Sequence, residues 1–562
     1  RYLGLYDFGN LTLATTLTAA GLAFMEYALK PTTLVHDLIL TPLIFTFLST
    51  AVIVGARILH RHRNWMTHYR HDNRVAKRRT LILGAGDAGE MIAREINRSN
   101  SGDHIAIGFI DDNPQKFGMM IHGVPVLGNS AQIKALVEKH SVDEIIIAVP
   151  SASGTTIRRL VDRCNQCGAR VRTLPAVAEV LRSENHLRHA LREVDIEDLL
   201  RREPVRADQT NADYISAETV LVTGGGGSIG SELARQIAQA SPANLVLFGK
   251  GENSIYEIEQ ELIQTVGFQP TCVIGDVRDR DAIERLFAQC RPTVVFHAAA
   301  HKHVPLMQNN VVEAVKNNVF ATELLVETAA RYGVRKFVYI STDKAVKPSS
   351  VMGATKRVGE MIVRAYAQRS ETEFAIVRFG NVLGSRGSLI PMLKKQIQRG
   401  GPLRLTHPDM TRYFMTIPEA VQLILQAGDM GSQAELFILD MGQAVKIVDL
   451  AKDLVRLHGL VPGEDIEIQF TGVRPGEKTH EELVYAEEEL GPTQHPKIRV
   501  VSSSAINEEW LKSEVDRLRE LCESGNQDTL RQALMELAWG KSNVPYQVAA
   551  VEMDNAREHE KR

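Results

Sequence analysis

The sequence predicts an α/β protein in which two successive Rossmann-like doubly wound domains follow N-terminal transmembrane helices. Three observations lead there. An apolar run from Leu38 to Leu59 is followed at once by a basic segment. Short β-branched runs then alternate with amphipathic stretches, once from Thr80 and again from Thr219, the pattern of a parallel sheet covered by helices. Each of these two series opens with a strand that runs into a glycine-rich turn.

Leu38 to Leu59 is long enough to span a bilayer core, and Leu11 to Leu29, which contains threonines, is a second candidate. A pair of buried helices is the competing reading. Arg57 to Arg79 holds eight Lys or Arg against one acid, Asp72, as expected of a cytoplasmic flank. The expectation is a multi-pass protein of the inner (cytoplasmic) membrane with its catalytic part in the cytoplasm. Arg1 in place of Met predicts a chain that begins inside a longer protein. The predicted divisions are 1–79 (spans and flank), 80–205 (first Rossmann-like domain), 206–540 (catalytic domain) and 541–562 (charged tail).

With 562 residues, 44% of them hydrophobic and 24% charged, the chain can bury several cores. A formal net charge of -3 gives no case for nucleic-acid binding. Five scattered cysteines are too few for a disulfide framework, so reduced thiols are expected. Cys164-Asn165-Gln166-Cys167 lacks the second cysteine pair or histidines that zinc would need, and no metal is expected.

The first unit begins with Thr80 to Leu83 and continues through Ile105 to Ile110, Glu144 to Val149 and Val171 to Leu174. Gly84, Gly86 and Gly89 have the G-x-G-x-x-G spacing, and Asp111 stands where a ribose carboxylate would. The same glycines serve any strand that turns tightly into a packed helix. No acid, base or nucleophile cluster accompanies them. Asp195 to Asp213, polar and carrying Pro204, reads as a linker.

The second unit begins with Thr219 to Val222 and the loop Thr223 to Gly230, in which Gly224, Gly227, Ser228, Ile229 and Gly230 are the candidate cofactor contacts. Its glycines let the backbone approach a pyrophosphate, whose charge meets the amide end of a helix starting near Ser228. Strands near 244–248, 271–274, 293–297, 336–340 and 374–378 complete a doubly wound sheet. Gly249 occupies the place of the ribose carboxylate and Lys250 follows it, so a 2′-phosphate is no longer repelled. This leans to NADP over NAD. Asp276 is placed to meet the adenine.

Ser341-Thr342-Asp343-Lys344 ends the next apolar strand and precedes Met352-Gly353-Ala354-Thr355-Lys356. With Thr223 to Gly230, His297 to Leu306, Arg378 to Ser388, His407 to Ile417 and Arg474-Pro475-Gly476-Glu477-Lys478, these motifs resemble the extended short-chain dehydrogenase/reductase family. Within it they resemble the membrane-anchored nucleotide-sugar 4,6-dehydratases of bacterial polysaccharide and glycan biosynthesis. The resemblance is close over residues 219 to about 502.

It implies a UDP-N-acetylhexosamine, UDP-N-acetylglucosamine first, converted to a 4-keto-6-deoxy sugar by oxidation at C4, loss of water across C5 and C6, and return of the hydride to C6. Asp343 is then the candidate acid for the 6-hydroxyl and Lys344 the base for the C5 proton, both needing a desolvated setting. Thr342 would hydrogen-bond a sugar oxygen, and Lys356 would hold the cofactor ribose. Lys302, Asn381, Arg386, Arg412 and Arg474 are the candidates for the UDP moiety and sugar, since cationic donors suit a pyrophosphate. His301 and His303 read as structural or substrate-lining. A homo-oligomer is expected.

Met352 stands where most of the wider superfamily has Tyr, which leaves the base for the C4 hydroxyl unassigned. Gly249, Gly251, Gln308 and Lys347 also depart from the pattern. Three alternatives stay open: a dehydratase that inverts C5, a 4-epimerase, and a nucleotide-binding membrane scaffold without turnover. An epimerase relies on the missing Tyr and has no need of the Asp343-Lys344 pair.

Overall fold

Strands such as Asn244–Gly249 and Lys336–Ile340 are near-continuous apolar runs, and a strand of that kind is stable only with both faces covered. Leu245, Val246 and Leu247 are accordingly all at 0% exposure although successive side chains point to opposite faces. The computed structural model describes residues 78–98, 104–165, 167–174, 192–193, 198, 213–486, 488–502 and 506–540. Both apolar runs, the basic flank as far as Lys77, nearly all of the polar linker and the charged tail lie outside the described residues. Among the described residues no helix is long and apolar enough to cross a membrane.

By contacts the chain forms one unit of residues 1–79 with 96–105, and another of residues 80–95 with 106–562. Of the former, residues 78–79, 96–98 and 104–105 are described, all parts of elements that run on into the latter.

Among the described residues are a seven-stranded sheet, a nine-stranded sheet and three two-stranded ones. In the seven-stranded sheet, Arg78–Leu83 lies between His104–Ile110 and Glu144–Ile147, with Arg170–Thr173 beyond. The nine-stranded sheet runs in the order Thr271–Ile274, Asn244–Gly249, Thr219–Thr223, Val294–His297, Lys336–Ile340, Glu373–Arg378, Gln433–Leu439, Ile498–Ser502 and Glu489–Pro492. The first seven are parallel, Ile498–Ser502 pairs antiparallel with the seventh, and Glu489–Pro492 pairs antiparallel with Ile498–Ser502. The six strands expected from the sequence are present, and the other three extend the sheet beyond Glu373–Arg378. Because Thr219–Thr223 has the second strand on one side and the fourth on the other, a crevice opens at the carboxyl ends between them, the general ligand position of such sheets.

Two helices position that crevice. Ser228–Gln239 starts directly after the glycine loop, and its N-cap, Gly227, offers no side-chain cap. Val351–Ala367 is capped by Ser350, whose side chain accepts the Gly353 amide at 3.1 Å. Its outer face is covered by the C-terminal helices Glu508–Ser524 and Gln527–Ala538, through a core that joins Val358 and Met361 to Leu511 and Leu530. Lys356 is thereby held from behind.

Candidate active site

The loop Gly224–Gly227 must turn a strand into a helix while leaving room for a ligand. Gly224 has φ +69°, and a Cβ on Gly230 would stand 2.1 Å from the Gly224 carbonyl oxygen, so the helix packs against the loop with no side chain between. The first amides of the helix then face a cavity of about 560 Å³ lined by Gly227, Ser228, Ile229 and Gly230 on this side. On the other side stand Lys302, Thr342, Lys344, Met352, Lys356, Asn381 and Arg386. A smaller cavity, of about 210 Å³, lies across the loop and is lined by Gly224, Gly249, Lys250, Gly275 and Asp276. The two share Gly227, Ala298, Ala300 and His301 in their walls.

Thr342, Asp343 and Lys344 leave the strand Lys336–Ile340 as a short turn in which Thr342 caps the Lys344 amide. Asp343 is fully buried. Its Oδ1 accepts from the Thr342 hydroxyl at 2.8 Å and from Lys344 Nζ at 2.9 Å. Lys344 Nζ also donates to Asn381 Oδ1 at 2.9 Å, which aims the ammonium between two acceptors at the cavity wall. Asp343 itself stands behind Thr342 and Lys344 rather than on the cavity surface.

Lys356 Nζ lies 3.9 Å over the centroid of the Tyr339 ring. Burial pulls its ammonium down to about 7, against the opposing charge of Glu360. Glu360 belongs to a buried network: it accepts from Ser341 Oγ at 2.6 Å and from Arg378 Nη2 at 2.8 Å, and Arg378 Nη1 also donates to Glu488 at 2.9 Å. This fixes the strand end that carries Thr342.

Asn318 was not among the residues singled out in the sequence. It accepts the His301 amide at 2.8 Å and donates to the His301 carbonyl and to Thr355 Oγ1, both at 3.0 Å, tying the loop after Val294–His297 to the Lys356 helix. It sits in a π-helical turn, Lys316–Phe320. Such turns often mark functional sites, but no short motif betrays them. His297 is neutral and structural: burial lowers it to about 3, and its two ring nitrogens lie 2.8 and 3.1 Å from the hydroxyls of Thr223 and Thr322.

Other expected residues take different places. Arg386 reaches back over the glycine loop, its amide donating to Ser228 Oγ at 3.1 Å and its guanidinium to the Gly226 carbonyl and Glu257. Asp276 is held to about 2, first by hydrogen bonds from the Arg278 side chain. Arg412 is buried away from the large cavity, its guanidinium spent on the carbonyls of Thr411, Lys478 and Thr479. Arg474 is half exposed, 4.0 Å from Glu477. Neither is brought to the cavity. Gln308 accepts the Val351 amide, and Lys347 pairs with Glu482. In the first sheet, Asp111 is already engaged by the Ala85 amide and Lys116 Nζ, both at 2.9 Å. Cys164 is a buried thiol pushed up to about 12 by burial. Among the described residues no group of three or more His, Cys, Asp or Glu could hold a metal ion.

Residues 220–503 match the model of a family described as polysaccharide biosynthesis protein, and residues 6–175 match that of a CoA-binding domain. The chain is 44% identical over 512 residues to the probable polysaccharide biosynthesis protein EpsC of Bacillus subtilis, covering 91% of this chain and 84% of that one. This chain belongs to the polysaccharide biosynthesis protein family. Over 280 residues, 48% of this chain, it is also 33% identical to a UDP-N-acetylglucosamine 4,6-dehydratase (inverting) of Campylobacter jejuni, covering 78% of it. A UDP-glucose 4-epimerase of Rickettsia canadensis is 35% identical over the same length, with 79% of it covered. Identity alone does not separate the two activities.

Proposed function

We propose that this chain is an NAD(P)-dependent 4,6-dehydratase of a UDP-N-acetylhexosamine, with UDP-N-acetylglucosamine as substrate and a UDP-4-keto-6-deoxy sugar as product. One observation carries the reading: Lys344 and Asn381 line the cavity with Asp343 hydrogen-bonded directly behind Lys344, and among the described residues no tyrosine lines it, Met352 taking that place. Both reactions oxidise C4 and need a base there, which Met352 does not supply, but only a dehydratase also needs an acid for the 6-hydroxyl and a base for the C5 proton, the pair that Asp343 and Lys344 offer.

The glycine loop and the uncapped amides of Ser228–Gln239 fit a dinucleotide pyrophosphate. Bound NAD(P) would accept the hydride from C4 and return it to C6. Lys356 would hold the ribose, and Lys250, beside Gly249, would meet a 2′-phosphate, which leans the cofactor to NADP. Lys344 removes the C5 proton, and Asp343, behind the cavity surface, protonates the departing 6-hydroxyl through the Thr342 hydroxyl, which donates to Asp343 Oδ1 at 2.8 Å. Arg386 and Lys302 bind the UDP pyrophosphate. The apolar runs 11–29 and 38–59, with the basic flank behind them, support an inner-membrane protein with a cytoplasmic site.

The test is to incubate the purified full chain, without added cofactor, with UDP-N-acetylglucosamine in deuterated water. Loss of water, a new C6 methyl and deuterium at C5 are expected, and the couplings report the C5 configuration. Mass analysis of the released cofactor distinguishes NADP from NAD. A substrate left unchanged by folded, cofactor-loaded protein sinks the reading, and a C4 epimer as product replaces it.

A further inference from the structure

Asp343 uses one carboxylate oxygen and leaves the other idle. Oδ1 takes the bonds from Thr342 and Lys344, while Oδ2, fully buried, has no hydrogen-bond partner among the described residues. That second oxygen points into a wall. A Cβ on Gly380 would stand 3.3 Å from Asp343 Oδ2, 3.0 Å from Tyr413 Cβ and 3.3 Å from Met441 Cε. Tyr413 and Met441 do not line the substrate cavity. They line another, of about 650 Å³, together with Glu481.

Glu481 is itself buried, and its Oε2 likewise has no hydrogen-bond partner among the described residues. Lys478 Nζ stands 3.5 Å from that oxygen but donates to the Val346 carbonyl at 2.7 Å. The segment has little slack, because Arg412 holds the carbonyls of Lys478 and Thr479. Lys344, Asp343, Lys478 and Arg412 act on Glu481 by their charge, and Lys347, Asp440, Glu482 and Arg499 line the same cavity. Burial pushes the Glu481 carboxyl up, Lys344 pulls it back, and the charge of Asp343 pushes it up again. Leaving a buried carboxylate oxygen unpartnered is costly, and a proton on it relieves the cost.

The dehydratase reading, on which this inference rests, gives that proton work to do. In each turnover Asp343 gives its proton to the departing 6-hydroxyl, which leaves as water, and ends as a carboxylate. The proton that Lys344 takes from C5 is balanced by the solvent-exchanged one it delivers back to C5, so the exchange leaves no net proton for Asp343. The C4 hydroxyl proton is released on the substrate side. Asp343 has no exposed surface from which to take another proton.

We propose that Glu481 is the proton store that recharges Asp343, with the cavity behind it as the route from solvent. The neutral Glu481 carboxyl passes its proton toward Asp343 Oδ2, restoring the acid and leaving a Glu481 carboxylate. That carboxylate then takes a proton from water in the second cavity. Glu481 touches no substrate and is a positioning and proton-supplying residue.

The test is Glu481→Gln in the full chain, followed by rapid quench with UDP-N-acetylglucosamine. The first turnover is expected near the wild-type rate and later turnovers at least 10-fold slower, with the deficit shrinking as pH falls. Glu481→Asp, which keeps a titratable group, should recover part of the steady-state rate. A purely structural role would slow first and later turnovers together, and this outcome, like an unaltered steady state, overturns the proposal. Infrared difference spectra supply a readout independent of turnover: wild type minus Glu481→Gln should show the loss of one neutral carboxylic-acid carbonyl stretch at neutral pH, distinct from the one that Asp343→Asn removes. Its persistence overturns the proposal even if the wild type is a dehydratase. A folded wild type that makes no keto sugar sinks the dehydratase reading instead, and the infrared result keeps the two failures apart.

Discussion

Gly353 lies so close to Lys344 that a Cβ on it would stand 2.2 Å from the Lys344 carbonyl oxygen, with Ser350 Oγ 3.2 Å away. The obstacle is main chain and cannot swing aside. The first turn of the Lys356 helix therefore docks directly on the turn that holds Asp343 and Lys344, and glycine is what permits it. Gly353→Ala must push the two apart by about 1 Å, and misplacement on that scale costs a factor of about 10² in rate. The measurement is kcat for the keto sugar beside a thermal melt. A kcat near wild type would show that the contact has slack.

Lys356 is expected to take up a proton when the cofactor binds. Its ammonium is held at about 7 by burial, partly offset by Glu360, so much of it is neutral in the empty site at pH 8. A nearby pyrophosphate favours the charged form and raises the pKa. Titration calorimetry with NADP or NAD at pH 8, in buffers of different ionisation enthalpy, should show uptake of up to one proton per site in the wild type and none in Lys356→Met. The sign for stability follows too. Between about 7 and the ordinary 10.5 the unfolded chain holds more protons than the folded one, so this group makes the cofactor-free protein more stable as pH rises through that window.

The sheet and its glycine loop were legible because their signals are local: apolar runs bounded by turn residues, and glycines at fixed spacing after a strand. Gln433–Leu439 and Ile498–Ser502 were not picked out, since each is separated by a long excursion from the strand it completes. In the site, Thr342, Lys344, Lys356 and Asn381 gather as their motifs suggest. Arg412 does not, because a motif gives no view of the carbonyls that bind its guanidinium. Asn318 and Glu360 were invisible for the same reason: each is tied to partners distant in sequence. The apolar runs 11–29 and 38–59 lie outside the described residues, so the expectation of a membrane anchor rests on the sequence.

Arg386 should affect substrate binding more than chemistry. Its guanidinium lies over the glycine loop on the Gly226 carbonyl and Glu257 and lines the substrate cavity, far enough out that its side chain is 65% exposed. If it donates to the UDP pyrophosphate, Arg386→Ala loses one charge-assisted contact of about 1.5–3 kcal/mol. KM for UDP-N-acetylglucosamine should then rise by about 10- to 100-fold with kcat little altered. A fall in kcat at constant KM would place Arg386 in loop closure rather than in pyrophosphate binding.

Glu360 and Arg378 should make the nine-stranded sheet acid-sensitive in a defined window. Both are fully buried and joined at 2.8 Å, with Ser341 and Arg357 also donating to Glu360. Burial alone would raise the carboxyl, but Arg378, then Arg357 and the Ser341 hydroxyl, bring it down to about 2. A carboxyl whose folded pKa lies below its unfolded value contributes fully above the unfolded value, near 4.5, and loses that contribution as pH falls toward 2. The difference corresponds to about 3 kcal/mol. In Glu360→Gln the side chain keeps its shape and can still accept from Ser341, but Arg378 retains only Glu488 as a counter-charge. Removing one partner of a buried pair costs about 3–5 kcal/mol. Denaturant unfolding at a series of pH values should therefore show two things in the variant: a lower midpoint at pH 7, and a flatter decline between pH 4.5 and 2 than in the wild type. Parallel curves would mean that the acid sensitivity of this domain arises from other carboxylates and that the pair acts only as packing.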